Sequence, residues 1–290
     1  MNPWIEASRP KTLVAGIIPV ALGSALAARH HGFHLGVLIA ALLGALAIQI
    51  GTNYVNDASD FERGADKEDR LGPPRMAAQG LLSPRALYRG SVFCFLFAFL
   101  AGSYLIAQAG PLILLIGLFS IFFAIIYTAG PYPLAYLGLG DVFVLIFFGL
   151  IAVMGTYFAH VRELNADAFF LSLATGFHGV SLIAVNNLRD IPTDIRAGKR
   201  TLAVRLGDEA SRWYYAILLF LPYLCWLPVA YGMRPWFALL PFLSLPLAVK
   251  NARAGFRIQN RREFNPLLGK TAALQLLFGL LASLALVFSS

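Results

Sequence analysis

Charge is scarce in this chain. Only 13% of its 290 residues are Asp, Glu, Lys or Arg, about half the share in an ordinary soluble protein, which argues against a globule wetted on all sides. Its two cysteines, Cys94 and Cys225, each sit inside an apolar run, so neither a disulfide framework nor a zinc-type spacing is available. Histidine is also sparse. His30, His31 and His34 cluster with no acid or cysteine beside them and read as a solvated loop, while His178 falls in mid-run, where a hydrogen bond to a neighbouring helix is expected. Acidic residues are outnumbered 15 to 23, for a formal charge of +8. Because the basic residues gather in a few loops, a membrane surface or an anionic substrate is the expected partner, and no nucleic acid.

What is abundant is apolar surface. Hydrophobic residues make up 58% of the chain and mean hydropathy is +0.69. At about 20 residues per crossing, nine candidate spans are found, at 13–28, 35–55, 90–108, 111–128, 139–159, 168–188, 213–231, 236–249 and 266–288. Long runs without alternation are not barrel strands, and lipid leaves helices as the remaining solution. The fold class expected is therefore all-α, one transmembrane domain over residues 1–290. No small-residue cleavage site follows the first run, which is expected to stay as a helix.

Orientation follows from charge. With the N-terminus in the cytoplasm, 19 of the 23 Lys and Arg fall on that side and 3 on the other, with Lys270 inside a span. This bias places the protein in the inner (plasma) membrane with segments 56–89 and 189–212 facing the cytoplasm.

Those two segments carry the chemistry. The second span ends in Asn53, Asn56, Asp57 and Asp60, which share one helix face, followed by Asp66; the sixth ends in Asn186, Asn187, Asp190 and Asp194, again on one face. The two spans run parallel, so the chain reads as two related halves. Carboxylates at helix C-termini sit where the helix dipole is already negative, so each cluster needs positive charge. Acids and amides without Cys or His form a hard oxygen set suited to Mg²⁺, with Mn²⁺ an alternative, often shared with substrate phosphates. Arg63, Lys67, Arg70 and Arg75 stand beside one cluster and Arg189, Arg196, Lys199 and Arg200 beside the other. Metal and base together suit a diphosphate. Either cluster alone reads as surface charge at a membrane edge, but two on equivalent helices read as one site. A cation-coupled transporter is the rival reading, although its acids would be expected near the bilayer midplane.

At these residues the chain resembles the UbiA superfamily of intramembrane aromatic prenyltransferases. Asn56, Asp57, Asp60 and Asp66 match its first acidic motif, and Asp190 and Asp194 its second. The stretches 9–13, 130–141, 186–194 and 198–202 are most similar to the menaquinone-pathway branch, which prenylates 1,4-dihydroxy-2-naphthoate; 4-hydroxybenzoate or a chlorin is the alternative acceptor. The naphthoate branch commonly has Glu where Asp141 stands. The resemblance implies transfer from a polyprenyl diphosphate to a ring carbon with loss of the ring carboxylate. Asp57, Asp60, Asp190 and Asp194 would act in catalysis through the metal, and Asp66 would hold the loop or a second metal. Asn53, Asn56, Arg63, Lys67, Tyr127, Asp141, Asn187, Lys199 and Arg200 would contact substrate.

The charge count yields a test. With Cys94 and Cys225 replaced, an impermeant thiol reagent added to sealed cells is expected to label Ser289→Cys and spare Ser83→Cys. The reverse pattern overturns the orientation.

Overall fold

The computed structural model describes residues 2–64 and 71–289, and all regular structure among them is helical. After a helical turn at Pro3–Ala7 come α1 (Val14–Arg29), α2 (Leu35–Glu62), α3 (Pro84–Ala109), α4 (Pro111–Ile126), α5 (Gly140–Val161), α6 (Ala166–Arg196) and α7 (Leu202–Ala230). Short turns Pro235–Leu239 and Leu240–Ser244 then lead to α8 (Leu245–Arg257), and α9 (Phe264–Phe288) ends the bundle. Six of these helical segments are long and apolar enough to cross a membrane, α2, α3, α5, α6, α7 and the segment containing α9. At 16 residues each, α1 and α4 reach only ~24 Å.

The eighth expected span is broken. Pro241 and Pro246 cannot donate backbone bonds, so the chain passes through short helical pieces before α8 carries on into the basic segment ending at Arg257. Another proline is tolerated. Pro192 lies inside α6 and leaves the Leu188 carbonyl without its helical donor; Arg261 Nη1 donates to that carbonyl at 2.8 Å.

The bundle centres on α6. Two thirds of its apolar window, 67%, is buried, against 17% for α3, so α3 presents Phe93, Leu96 and Leu100 outward as lipid-facing surface. Leu171 and Leu188 of α6 pack with Leu22 and Leu26 of α1, Leu219 and Trp226 of α7, and Phe278 of α9. Two histidine expectations are corrected. His178 is 1% exposed and neither ring nitrogen has a hydrogen-bond partner among the described residues; it packs instead on the Phe278 ring at 4.8 Å. The His30 to His34 loop is tied down rather than merely solvated, with His30 Nδ1 2.7 Å from the Tyr157 hydroxyl and the His34 N–H donating to His160 Nδ1 at 3.1 Å.

Within α5 a ten-residue π-helical stretch, Leu145–Met154, is wedged between α1 and α6. A Cβ on Gly149 would lie 2.7 Å from the Ser172 carbonyl and 2.8 Å from Gly176 Cα, and one on Gly23 would lie 2.6 Å from the Val153 carbonyl. Backbones at such contact leave no room for a methyl group. Gly149→Ala is therefore expected to lower stability by about 1–3 kcal/mol through overpacking, read as a fall in Tm in detergent. Gly102→Ala, with no neighbour within 4 Å, should not lower it.

Candidate functional site

The ends of α2 and α6 line one cavity, beside the loop that follows α2. On α2, Asn56, Asp57 and Asp60 are all buried, at 8%, 1% and 3% exposure. Asp60 is the most heavily engaged: Arg75 Nη2 donates to it at 2.6 Å, the Tyr136 hydroxyl donates at 3.2 Å, and Lys199 Nζ lies 3.8 Å away. Asn56 accepts from the Thr128 hydroxyl at the end of α4. On α6, the buried Arg189 grips Asp190 with two bonds of 2.8 and 2.6 Å and donates to Asn265 Oδ1 at 2.6 Å. Asn265 in turn donates to the Leu71 carbonyl at 2.8 Å, so a residue of α9 secures the loop that follows α2.

The segment between α4 and α5 closes a third side. Its backbone is stitched to the stretch after α6 by Arg200 N–H to the Tyr136 carbonyl at 2.9 Å and Arg205 Nη2 to the Leu137 carbonyl at 2.7 Å. Gly138 is required twice over, since φ is +77° and a Cβ would lie 2.5 Å from the Arg200 carbonyl. Tyr136 thereby comes under two cations, Lys199 at 4.5 Å and Arg63 at 5.5 Å from its ring centre. Arg63 also donates to the Gly130 carbonyl.

These elements enclose a chamber of about 430 Å³ lined by Asn56, Asp60, Arg63, Arg75, Tyr127, Asp141, Asn187, Asp190, Asp194 and Lys199, among others. Against it lies an apolar groove of about 470 Å³ walled by side chains such as Ile106, Leu114, Phe123, Phe147 and Ile151. Asn56, Tyr127, Ile183 and Asn186 line both. The geometry offers a charged head site that continues into a tail site.

Some expected residues stand elsewhere. Asp57 does not line the chamber: its Oδ2 and Oδ1 accept the backbone N–H groups of Met76 and Ala77, each at 3.1 Å, so in this structure it anchors the loop. Asn53 donates to the Ser8 carbonyl at 2.8 Å and lines the groove, not the chamber. Arg200 contributes its backbone while its side chain is exposed. Asp66 and Lys67 lie outside the described residues. Sequence reasoning passed over Tyr136 as a cation platform and Asn265 as a loop anchor. Asn265 directly precedes the last apolar run, a position that reads as a loop in one dimension.

A helical bundle of membrane length, holding an acid and base chamber at the mouth of an apolar groove, defines a membrane-embedded protein that takes an amphiphile by head and tail. The chain belongs to the UbiA prenyltransferase family, whose model matches residues 16–288. It is 37% identical to the 1,4-dihydroxy-2-naphthoate octaprenyltransferase of Haemophilus influenzae, over 99% of this chain and 96% of that protein. It is 36% identical to the Mycobacterium tuberculosis protein of the same name, over 98% and 97%. Among solved structures it shares the fold of the apo UbiA homologue from Aeropyrum pernix K1, with TM-score 0.69 and 15% identity over 92% of this chain and 96% of that one. It likewise resembles an Archaeoglobus fulgidus UbiA homologue bound to GPP and Mg²⁺, with TM-score 0.63 and 14% identity over 98% and 99%.

The anchoring role of Asp57 can be tested directly. Asp57→Asn leaves one acceptor where two N–H groups need partners, a loss of about 1–3 kcal/mol for a buried group. The loop around Arg75 should then be cut faster in limited proteolysis; unchanged cleavage rates would remove the anchor.

Proposed function

We propose that this protein transfers a polyprenyl group from a polyprenyl diphosphate to an aromatic acceptor, 1,4-dihydroxy-2-naphthoate, in menaquinone biosynthesis, with nine helices spanning the inner membrane and the chamber toward the cytoplasm. The observation that carries it is the junction of chamber and groove at Asn56, Tyr127, Ile183 and Asn186. A diphosphate head and an apolar tail joined by one bond fit a charged cavity and an apolar cavity that share a wall.

The residues present fit Mg²⁺. Among the described residues no three His, Cys, Asp or Glu side chains form a closed cage; Mg²⁺ is commonly held through one or two carboxylates and completes its shell with phosphates and water. Asp194 is buried and lines the chamber, and no hydrogen bond or ion pair joins its carboxylate to another described side chain; Lys199 and Arg189 act on it only through space, so it is available to a cation that enters. Asp60 with Asn56 on α2, and Asp190 and Asp194 with Asn187 on α6, would each bring one or two carboxylates to metal shared with the diphosphate. When bound it supplies Lewis-acid polarisation of the diphosphate leaving group.

The chain's own cations do the rest. Arg63, Arg75 and Lys199 neutralise phosphate oxygens, and the walls of the groove keep water from the first carbon of the tail as its bond to oxygen breaks. Leu134 and Ala135 support the naphthoate, because the hydroxybenzoate branch commonly carries a basic side chain after its Tyr-Pro pair, which here is Tyr132-Pro133. A buried ion pair missing from one branch discriminates by about 2–5 kcal/mol.

The test is an assay of purified protein with one polyprenyl diphosphate and two acceptors at equal concentration. Transfer is expected to require Mg²⁺ or Mn²⁺, to favour the naphthoate over 4-hydroxybenzoate in kcat/KM, and to fall by at least ~10²-fold in Asp190→Asn. Full activity in excess chelator would refute the metal reading, and equal use of both acceptors the naphthoate one.

A further inference from the structure

Asp141 opens α5 on the chamber wall at 6% exposure. Its Oδ1 accepts from the Tyr214 hydroxyl of α7 at 3.2 Å, whereas Oδ2 is buried and has no hydrogen-bond partner among the described residues. Stabilising the positive end of a helix does not call for this, since an exposed carboxylate serves equally well, and a buried acceptor left without a donor is a cost to the fold. Tyr214 holds the carboxylate by one oxygen and leaves the other for something that enters the chamber.

The position says what enters. Gly140 and Asp141 line the chamber, while Phe143 and Val144, just beyond, line the groove. A Cβ on Gly140 would meet the Tyr127 hydroxyl at 2.9 Å and Ile183 Cδ1 at 3.2 Å, and both of those residues line both cavities. Asp141 thus stands beside the junction, where head and tail of the donor join and where the acceptor ring must arrive.

We propose that Asp141 is a catalytic residue that takes the proton from the acceptor hydroxyl next to the reacting ring carbon and afterwards returns it. This rests on the prenyl-transfer reading above. The ring carbon forms a bond to the first prenyl carbon as the carbon–oxygen bond to the diphosphate breaks, and that electron pair leaves with the diphosphate. The O–H electron pair becomes a carbonyl π bond as the proton passes to Oδ2. The ring is now a ketone with the carboxylate on the neighbouring carbon. Carbon dioxide leaves, the electrons of its bond restore the aromatic ring as an oxyanion, and the proton on Asp141 returns to that oxygen. No oxidant or further base is consumed.

The test uses the full-length protein as wild type, Asp141→Asn and Asp141→Ala, reading kcat, affinity for a non-hydrolysable prenyl thiodiphosphate, and Tm. Asp141→Asn is expected to lose about 10²–10⁴-fold in kcat, the usual contribution of a positioned acid or base, with donor affinity and Tm unchanged. Formate added to Asp141→Ala should restore turnover by standing in for the lost carboxylate. A residue that merely braces the chamber would weaken donor binding or Tm and gain nothing from formate, and that pattern overturns the proposal, as does near wild-type turnover in Asp141→Asn. Wild-type protein that transfers no prenyl group to any aromatic acceptor would refute the underlying function instead.

Discussion

Negative charge at the negative ends of two helices is the constraint on which the rest of this structure depends. Asp57 and Asp60 sit in the last two turns of α2, and Asp190 and Asp194 in those of α6, so each is opposed by its own helix dipole, and Asp60, Asp190 and Asp194 also by one another around the chamber. Loops resolve the conflict by carrying cations back. Arg75 returns to Asp60 from the loop after α2, Lys199 approaches it from beyond α6, and Arg189 turns onto its neighbour Asp190. Removing Arg75 would strip the buried Asp60 of its closest partner, which costs more than the pair itself contributes. Arg75 and Lys199 also line the chamber, so the groups that make the site foldable are those a diphosphate would recruit.

The remaining architecture keeps those helix ends in register. In lipid a freed backbone carbonyl has no water to turn to, and the carbonyl freed by Pro192 is met by Arg261, which also pairs with Asp208 of α7. One arginine therefore ties the end of α6 to α7 close to the acidic cluster. Gly23 and Gly149 act at the other scale, letting α1, α5 and α6 approach to backbone contact. Contacts this close set helix positions more tightly than long side chains could, since there is no rotamer left to adjust. Asp141, at the start of α5, inherits its place from that packing.

Much of this is legible in one dimension because it is periodic or compositional. Apolar runs bounded by charge predict the helices, and acids at the ends of the second and sixth runs predict a shared site. What is not legible is direction. Asp57 and Asp60 are three residues apart on one helix face, yet Asp60 lines the chamber while Asp57 accepts two amides of a loop some twenty residues onward; spacing cannot tell which carboxylate the returning loop will claim. Asn53 shares that helix face and instead donates to the Ser8 carbonyl near the start of the chain. The eighth run reads as one span, and Pro241 and Pro246 break it into short pieces. The hydrogen bond from Asn265 to Leu71 joins residues 194 apart in sequence, and no local pattern encodes it.

Asp57 nevertheless belongs to the site in a physical sense. The loop it anchors carries Pro73 to the groove wall and Arg75 to the chamber wall, so the strap spans the place where the two cavities adjoin. A cation developing on an allylic carbon is consumed by whatever nucleophile reaches it first, and water is the most abundant one at a membrane face. Selective attack by a ring carbon therefore needs a closed junction as much as it needs metal and base. Two amides on Asp57, Arg75 on Asp60, and Asn265 on Leu71 fasten the strap at three points. On the proposed function, an acidic motif whose Asp60 faces the leaving group while its Asp57 pins the strap would couple two requirements, since Arg75 reaches Asp60 only with the strap in place.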